Sequence, residues 1–130
     1  YVLPRHKTIF QSLEFKLRIT DTRHEVGERS TEILELVGLN SKAKNIPKEL
    51  SPVERVKAAL ALAIVSGPDL LVCHKPFPDL NSKGIEEIID LLINVRDQQD
   101  ISMLLLTDGI TGNIDGLEVI ETNLDRRVVK

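Results

Sequence analysis

Apolar residues recur at helical spacing through most of this chain, and the short runs that read as strands, Leu70 to Cys73 and Met103 to Leu106, both fall in its second half. The pattern predicts helices first, then an alternation of strand and helix. Ile9, Leu13 and Leu17 return every four residues behind Thr8-Ile9-Phe10-Gln11, which has the threonine-to-glutamine spacing of a capping box. That spacing predicts a helix over about Thr8 to Arg18. From about Arg23 the apolar positions thin to Val26, Ile33, Leu34 and Val37, with Gly38 behind them as a C′ residue, which predicts a second, more exposed helix. The stretch from Asn40 to Glu49 carries lysines, asparagine and Pro47 without a period and reads as a loop.

Ser51-Pro52-Val53-Glu54 supplies a helix start: serine as N-cap, proline at N1 where no amide donor is missed, glutamate at N3 reaching back. Val56, Ala59, Leu60, Ala63 and Ile64 line one side of the helix that follows, and Gly67-Pro68 stops it. The apolar run Leu70 to Cys73 fits a strand buried on both faces. A helix over about Ser82 to Gln98 should bury Ile85, Ile88, Ile89, Leu92 and Val95, and Ser102 to Thr107 reads as a second buried strand. Strand, helix, strand predicts a right-handed crossover with parallel strands. The tail alternates weakly over Glu118 to Thr122 and Arg127 to Val129 and reads as a small edge hairpin. The expected class is α/β, a parallel sheet with flanking helices plus an α-helical subdomain.

At 130 residues, 42% of them hydrophobic, the chain can bury one sizeable core, so one compact unit is expected. Seventeen basic against twenty acidic residues leave a formal charge of −3 without a long like-charge run, which argues against nucleic acid as a partner. Cys73 is the only cysteine and lies in an apolar run. No intrachain disulfide can form, and a buried thiol in a reducing, cytoplasmic compartment is expected. No apolar stretch approaches the roughly 20 residues needed to span a bilayer, and the N-terminus lacks signal-peptide architecture. The chain begins at Tyr1, as an excerpt of a longer polypeptide or a processed product would.

Two groups of residues carry candidate chemistry. Ser51 to Glu54 could hold an anion at a helix N-terminus, but the same four residues make a capping box, which is the favoured reading. His74, Lys75 and Asp108 should fall at the carboxyl ends of neighbouring parallel strands, where α/β folds put ligands. A Lys75 to Asp108 ion pair tying two strand ends is favoured over a ligand site. A His74 to Asp108 catalytic pair would need a nucleophile that is not evident. His6 and His24 have no partner at ligand spacing, so no metal site is expected.

Leu50-Ser51-Pro52-Val53-Glu54, the alanine- and leucine-rich helix, Pro68, the strand ending at His74-Lys75-Pro76, Asn81 and the strand before Asp108 stand in the order of a known set of motifs. They resemble the segment from the signature motif to the switch histidine of ATP-binding-cassette (ABC) ATPases, whose signature reads Leu-Ser-Gly-Gly-Gln. Pro4 to Phe10 is similar to the stretch just after that family's Q-loop, and Val37-Gly38-Leu39 to the end of its helical subdomain, so the resemblance covers essentially the whole chain. The family's Walker A loop and Q-loop glutamine have no counterpart; Gln11 falls too late.

The resemblance implies a partial P-loop-NTPase-like fold, with residues 1–50 as helical subdomain and 51–130 as signature helix and C-terminal α/β core portion. It also implies lost chemistry. Where the family's signature serine and glycine amides bind the γ-phosphate, Ser51 is kept, but Pro52 has no amide hydrogen, Val53 adds bulk and Glu54 adds negative charge. At the Walker B position His74 and Lys75 replace the aspartate and glutamate that hold Mg²⁺ and orient water. Asp108 stands at the switch position, and Asn81 at the D-loop aspartate. No cofactor is expected on this chain alone, with ATP and Mg²⁺ bound only beside a partner cassette. Expected partners are another ABC-type subunit or an N-terminal half, and a membrane subunit, with the chain peripheral to the membrane. Without the Walker A strand, Ser102 to Thr107 would present an open apolar edge, which predicts either self-association through this strand or an N-terminal segment that fills the gap. The alternative is a stand-alone protein-interaction module of the same derived shape that works without nucleotide.

Overall fold

The computed structural model describes residues 3–20, 25–74 and 79–106, with His74 and Leu106 in backbone only. Helix α1 runs Ile9–Thr20. Its capping box is reciprocal: the Thr8 amide donates to Gln11 Oε1 at 3.0 Å and the Gln11 amide to Thr8 Oγ1 at 3.1 Å. The two amides between them donate to the loop carbonyls of Asn45 and Ala43, so the predicted loop is what closes the start of α1. Helix α2, Val26–Leu36, starts later than the sequence suggests, because Glu25 is its N-cap and its carboxylate accepts from the amides of Gly27 and Glu28. It ends in a Schellman motif. Gly38 sits at φ 77°, its amide donates to Glu35 O, and the Leu39 amide donates to Leu34 O. Two short 3-10 turns, Asn40–Lys42 and Pro47–Glu49, lie within the loop.

Helix α3 (Pro52–Ile64) leads to strand β1 (Leu70–His74), helix α4 (Ser82–Gln99) and strand β2 (Ser102–Leu106). The strands pair in parallel, from Leu70 opposite Ser102 to His74 opposite Leu106. Ile9, Leu13, Leu17, Ile33, Leu34, Ala58, Ile64, Leu71, Ile88 and Val95 belong to one continuous apolar core. None of the described helices is long and apolar enough to cross a membrane.

The structure corrects three expectations. The strands are not buried on both faces: Leu71 is buried, whereas Leu70, Val72 and Leu104 are 57%, 51% and 44% exposed. Successive strand side chains point to opposite faces, and the described helices cover only one. Cys73, expected buried, is half-buried, though this is enough for desolvation to push its thiol pKa up. In α3 the buried set is Ala58 and every residue from Leu60 to Ile64, while Val56 and Ala59 are half-buried. The one-sided stripe fails because α3 is flanked by α1, α2 and α4. In α4, Ile88, Leu92 and Val95 are buried as expected, with Ile85 and Ile89 half-buried. The tail hairpin, Lys75, Thr107, Asp108 and His24 lie outside the described residues.

Candidate functional site

The first turn of α3 brings Ser51, Pro52, Val53 and Glu54 to one helix end. Ser51 has extended backbone angles (φ −66°, ψ 164°), as an N-cap requires. Its hydroxyl accepts from the Glu54 amide at 3.2 Å, and its own amide donates to Glu54 Oε1 at 2.9 Å. Lys42 Nζ stands 3.9 Å from the other Glu54 oxygen. The Ser51 backbone bond, the Ser51 hydroxyl and the charges of Lys42 and Lys57 hold the Glu54 carboxyl below its ordinary pKa against a smaller opposing desolvation. The site therefore carries a settled negative charge where an incoming anion would arrive. Pro52 has no amide hydrogen and Glu54 has committed its own, leaving Val53 as the first-turn donor without a partner among the described residues.

The Val53 side chain faces α4: its Cγ2 lies 3.1 Å from where a Cβ on Gly84 would stand. Asn81 caps α4, its Oδ1 accepting from the Gly84 amide at 2.9 Å, so this side chain is spent on its own helix. One turn further along, Lys57 Nζ pairs with Glu87 Oε1 at 2.5 Å. Both contacts step in the same direction along their helices, so α3 and α4 lie parallel with their N-termini together. The favourable ends of two helix dipoles meet here, and both caps are already filled from within the chain.

His74 closes β1 opposite Leu106 at the end of β2. Lys75 follows directly on His74 and Asp108 lies two residues beyond Leu106, but the expected ion pair falls outside the described residues. Among the described residues no group of three His, Cys, Asp or Glu side chains is placed to hold a metal ion.

Sequence reasoning missed the other end of α3. Arg29 of α2 is only 9% exposed; its Nε donates to Val65 O at 3.1 Å, and its Nη2 donates to Ile64 O at 3.4 Å and Gln99 Oε1 at 3.0 Å. Lys16 of α1 donates to Leu62 O and, at 3.5 Å, to Ala63 O. The signal was present: Arg29 stands on the same helical stripe as Val26 and Ile33, and Lys16 falls between Leu13 and Leu17.

No family model matches the chain. Methionine import ATP-binding protein MetN 2 of Bacillus cereus is 32% identical over 102 residues, covering 78% of this chain and 30% of that protein. Methionine import ATP-binding protein MetN 1 of Bacillus thuringiensis subsp. konkukian is 31% identical over the same shares. The chain thus spans about 30% of the length of the curated relatives it matches. Among solved structures, an ABC transporter described as of metal-chelate type, in an inward-facing conformation, superposes with a TM-score of 0.70. It covers 82% of this chain and 45% of that one at 19% identity, a likeness of fold.

Proposed function

Because this chain is a homologue of ABC-transporter ATP-binding proteins and shares their fold, we propose that it is a segment of a nucleotide-binding domain that accompanies ATP turnover without catalysing it. The observation that carries the reading is the closed cap at Ser51. A hydroxyl and an amide that could serve a phosphate are bonded to each other's residues, and the Glu54 carboxylate sits beside them. Exchanging those bonds for a phosphate would give up a cap worth about 1 kcal/mol and place two anions together.

The residues at the other motif positions agree in direction. His74 is a poor ligand for a hard cation such as Mg²⁺, and Lys75 cannot accept a proton from water while it carries its charge. With Asp108 at the switch position, acid and base have changed places. ATP and Mg²⁺ then belong to a partner cassette, and this chain's contribution is a surface: α1 and α2 toward a membrane subunit, the Ser51 end toward another ABC-type subunit. The second reading, a nucleotide-independent interaction module, keeps the same surfaces and drops the partner's ATP.

Calorimetry of Mg-ATP with the chain alone, and with an intact cassette that co-purifies with it, tests the proposal. Expected is no heat from the chain alone and tighter ATP binding by the pair. Binding and turnover by the chain alone would overturn the reading, and no effect on the pair would select the nucleotide-independent module.

A further inference from the structure

Helix α3 ends inside the protein. Ile64 and Val65 are fully buried, so carbonyls that an exposed helix would leave to water must find donors within the fold. Two cations from two different helices supply them. Lys16 of α1 takes the carbonyls of Leu62 and Ala63, and Arg29 of α2 takes those of Ile64 and Val65. Arg29 also reaches Gln99 at the end of α4, and its Nη1 pairs at 3.3 Å with Glu32, whose side chain is 58% exposed. Four helices meet at this one polar joint.

As a source of stability the joint is a poor choice. A desolvated guanidinium held by neutral carbonyls and a largely solvated carboxylate recovers little more than its burial costs, and an apolar residue on that stripe would avoid that cost only by leaving buried carbonyls without donors. What the joint supplies is a defined position. α3 buries Ala58, Ala61 and Ala63 among Leu60, Leu62 and Ile64, and apolar packing of this kind sets a helix crossing only within a scatter of about 15–20°. A guanidinium has donors in a rigid fork and accepts only one arrangement of carbonyls.

We propose that Arg29, seconded by Lys16, is a positioning residue that keys the α1–α2 pair into a single register on α3. The key fixes where the α1–α2 surface stands relative to the Ser51 end of the same helix, and it does so whether or not nucleotide is ever bound.

The test is two-dimensional amide NMR of the 130-residue chain carrying Arg29→Met, beside wild type and Arg29→Lys, with thermal midpoints from circular dichroism. Expected for Arg29→Met is a lowered midpoint, because the buried Val65 carbonyl loses its donor, together with doubled or exchange-broadened signals over α1 and α2 and single signals over β1 and α4. Arg29→Lys should restore part of the single set. One sharp set throughout in Arg29→Met, with or without a lowered midpoint, would make Arg29 an ordinary contact and overturn the proposal. Should Arg29→Met not fold, Arg29→Lys, which keeps the charge and loses the fork, is read instead: doubled or broadened signals over α1 and α2 support the key, and one sharp set overturns it.

Discussion

Val53 and Gly84 meet at the start of two parallel helices: the valine Cγ2 lies 3.1 Å from the place a side chain on Gly84 would begin. The first turns of α3 and α4 are thus fitted together through a missing methyl. Gly84→Ala should gain helix propensity of up to about 1 kcal/mol and lose most of it to the contact with the stiff valine. In a Val53→Ala background the same change should be plainly stabilising, so the double-mutant cycle by urea denaturation should show a coupling of about 0.5–1 kcal/mol. Strict additivity would mean that the helices do not meet here.

Removing the Ser51 hydroxyl should expose how much α3 depends on its cap. Ser51→Ala leaves the Glu54 amide without its acceptor and should cost about 1 kcal/mol in urea, while Ser51→Gly costs only a few tenths. Equal losses for the two variants would count against the cap.

Acid should loosen the same turn. The Glu54 carboxyl is held below its ordinary value near 4.5, first by the Ser51 backbone bond, so its contribution is fully present above that value and is lost as pH falls through the lower folded value. Glu54→Gln should therefore flatten the part of the stability profile that falls below about pH 4.5 and leave the neutral region parallel to wild type. An unchanged acid limb would show that the carboxylate is no better held folded than unfolded.

Rebuilding the family's signature tests the lost-phosphate reading directly. Pro52→Gly, Val53→Gly and Glu54→Gln together restore amide donors and remove the anion, at the cost of a first turn carrying two glycines, each about 1 kcal/mol worse than alanine in a helix. The triple variant should melt lower than wild type and, paired with an intact cassette, bind Mg-ATP more tightly. A lower melting point with unchanged affinity would place the defect elsewhere.

The outward face of the sheet should make the chain sticky. Leu70, Val72 and Leu104 stand together on paired strands and are each more than two-fifths exposed. Sedimentation velocity should show self-association rising with concentration and largely abolished by Val72→Lys with Leu104→Lys, at a stability cost within about 0.5 kcal/mol for exposed positions. A wild-type chain that sediments as a monomer at millimolar concentration sinks this prediction.

What could be read from the sequence follows what is local in the physics. The Thr8–Gln11 and Ser51–Glu54 boxes, the Gly38 ending and the period of α4 involve residues three to five apart, and each forms as its spacing implies. The exposure of Leu70, Val72 and Leu104 was illegible, because an unbroken apolar run does not say which layers are present to cover it. The Arg29 joint was missed for a related reason. Its partners lie 35 or more residues away, and a charge on an apolar stripe declares that something must compensate it, without saying what. At the site, Ser51 to Glu54 and Asn81 could be located as two helix caps, but that the caps stand side by side depends on Val53 and Gly84, which no period in either helix reveals.

The joint at the end of α3 also has a direction in time. Synthesis proceeds from the N-terminus, so Lys16 and Arg29 have left the ribosome before the carbonyls of Leu62, Ala63, Ile64 and Val65 that they will hold, and Gln99 comes last. A nascent chain can therefore seat α3 against the α1–α2 pair while β2 is still unmade. The parallel strands cannot zip as a hairpin and must wait for α4 to cross over.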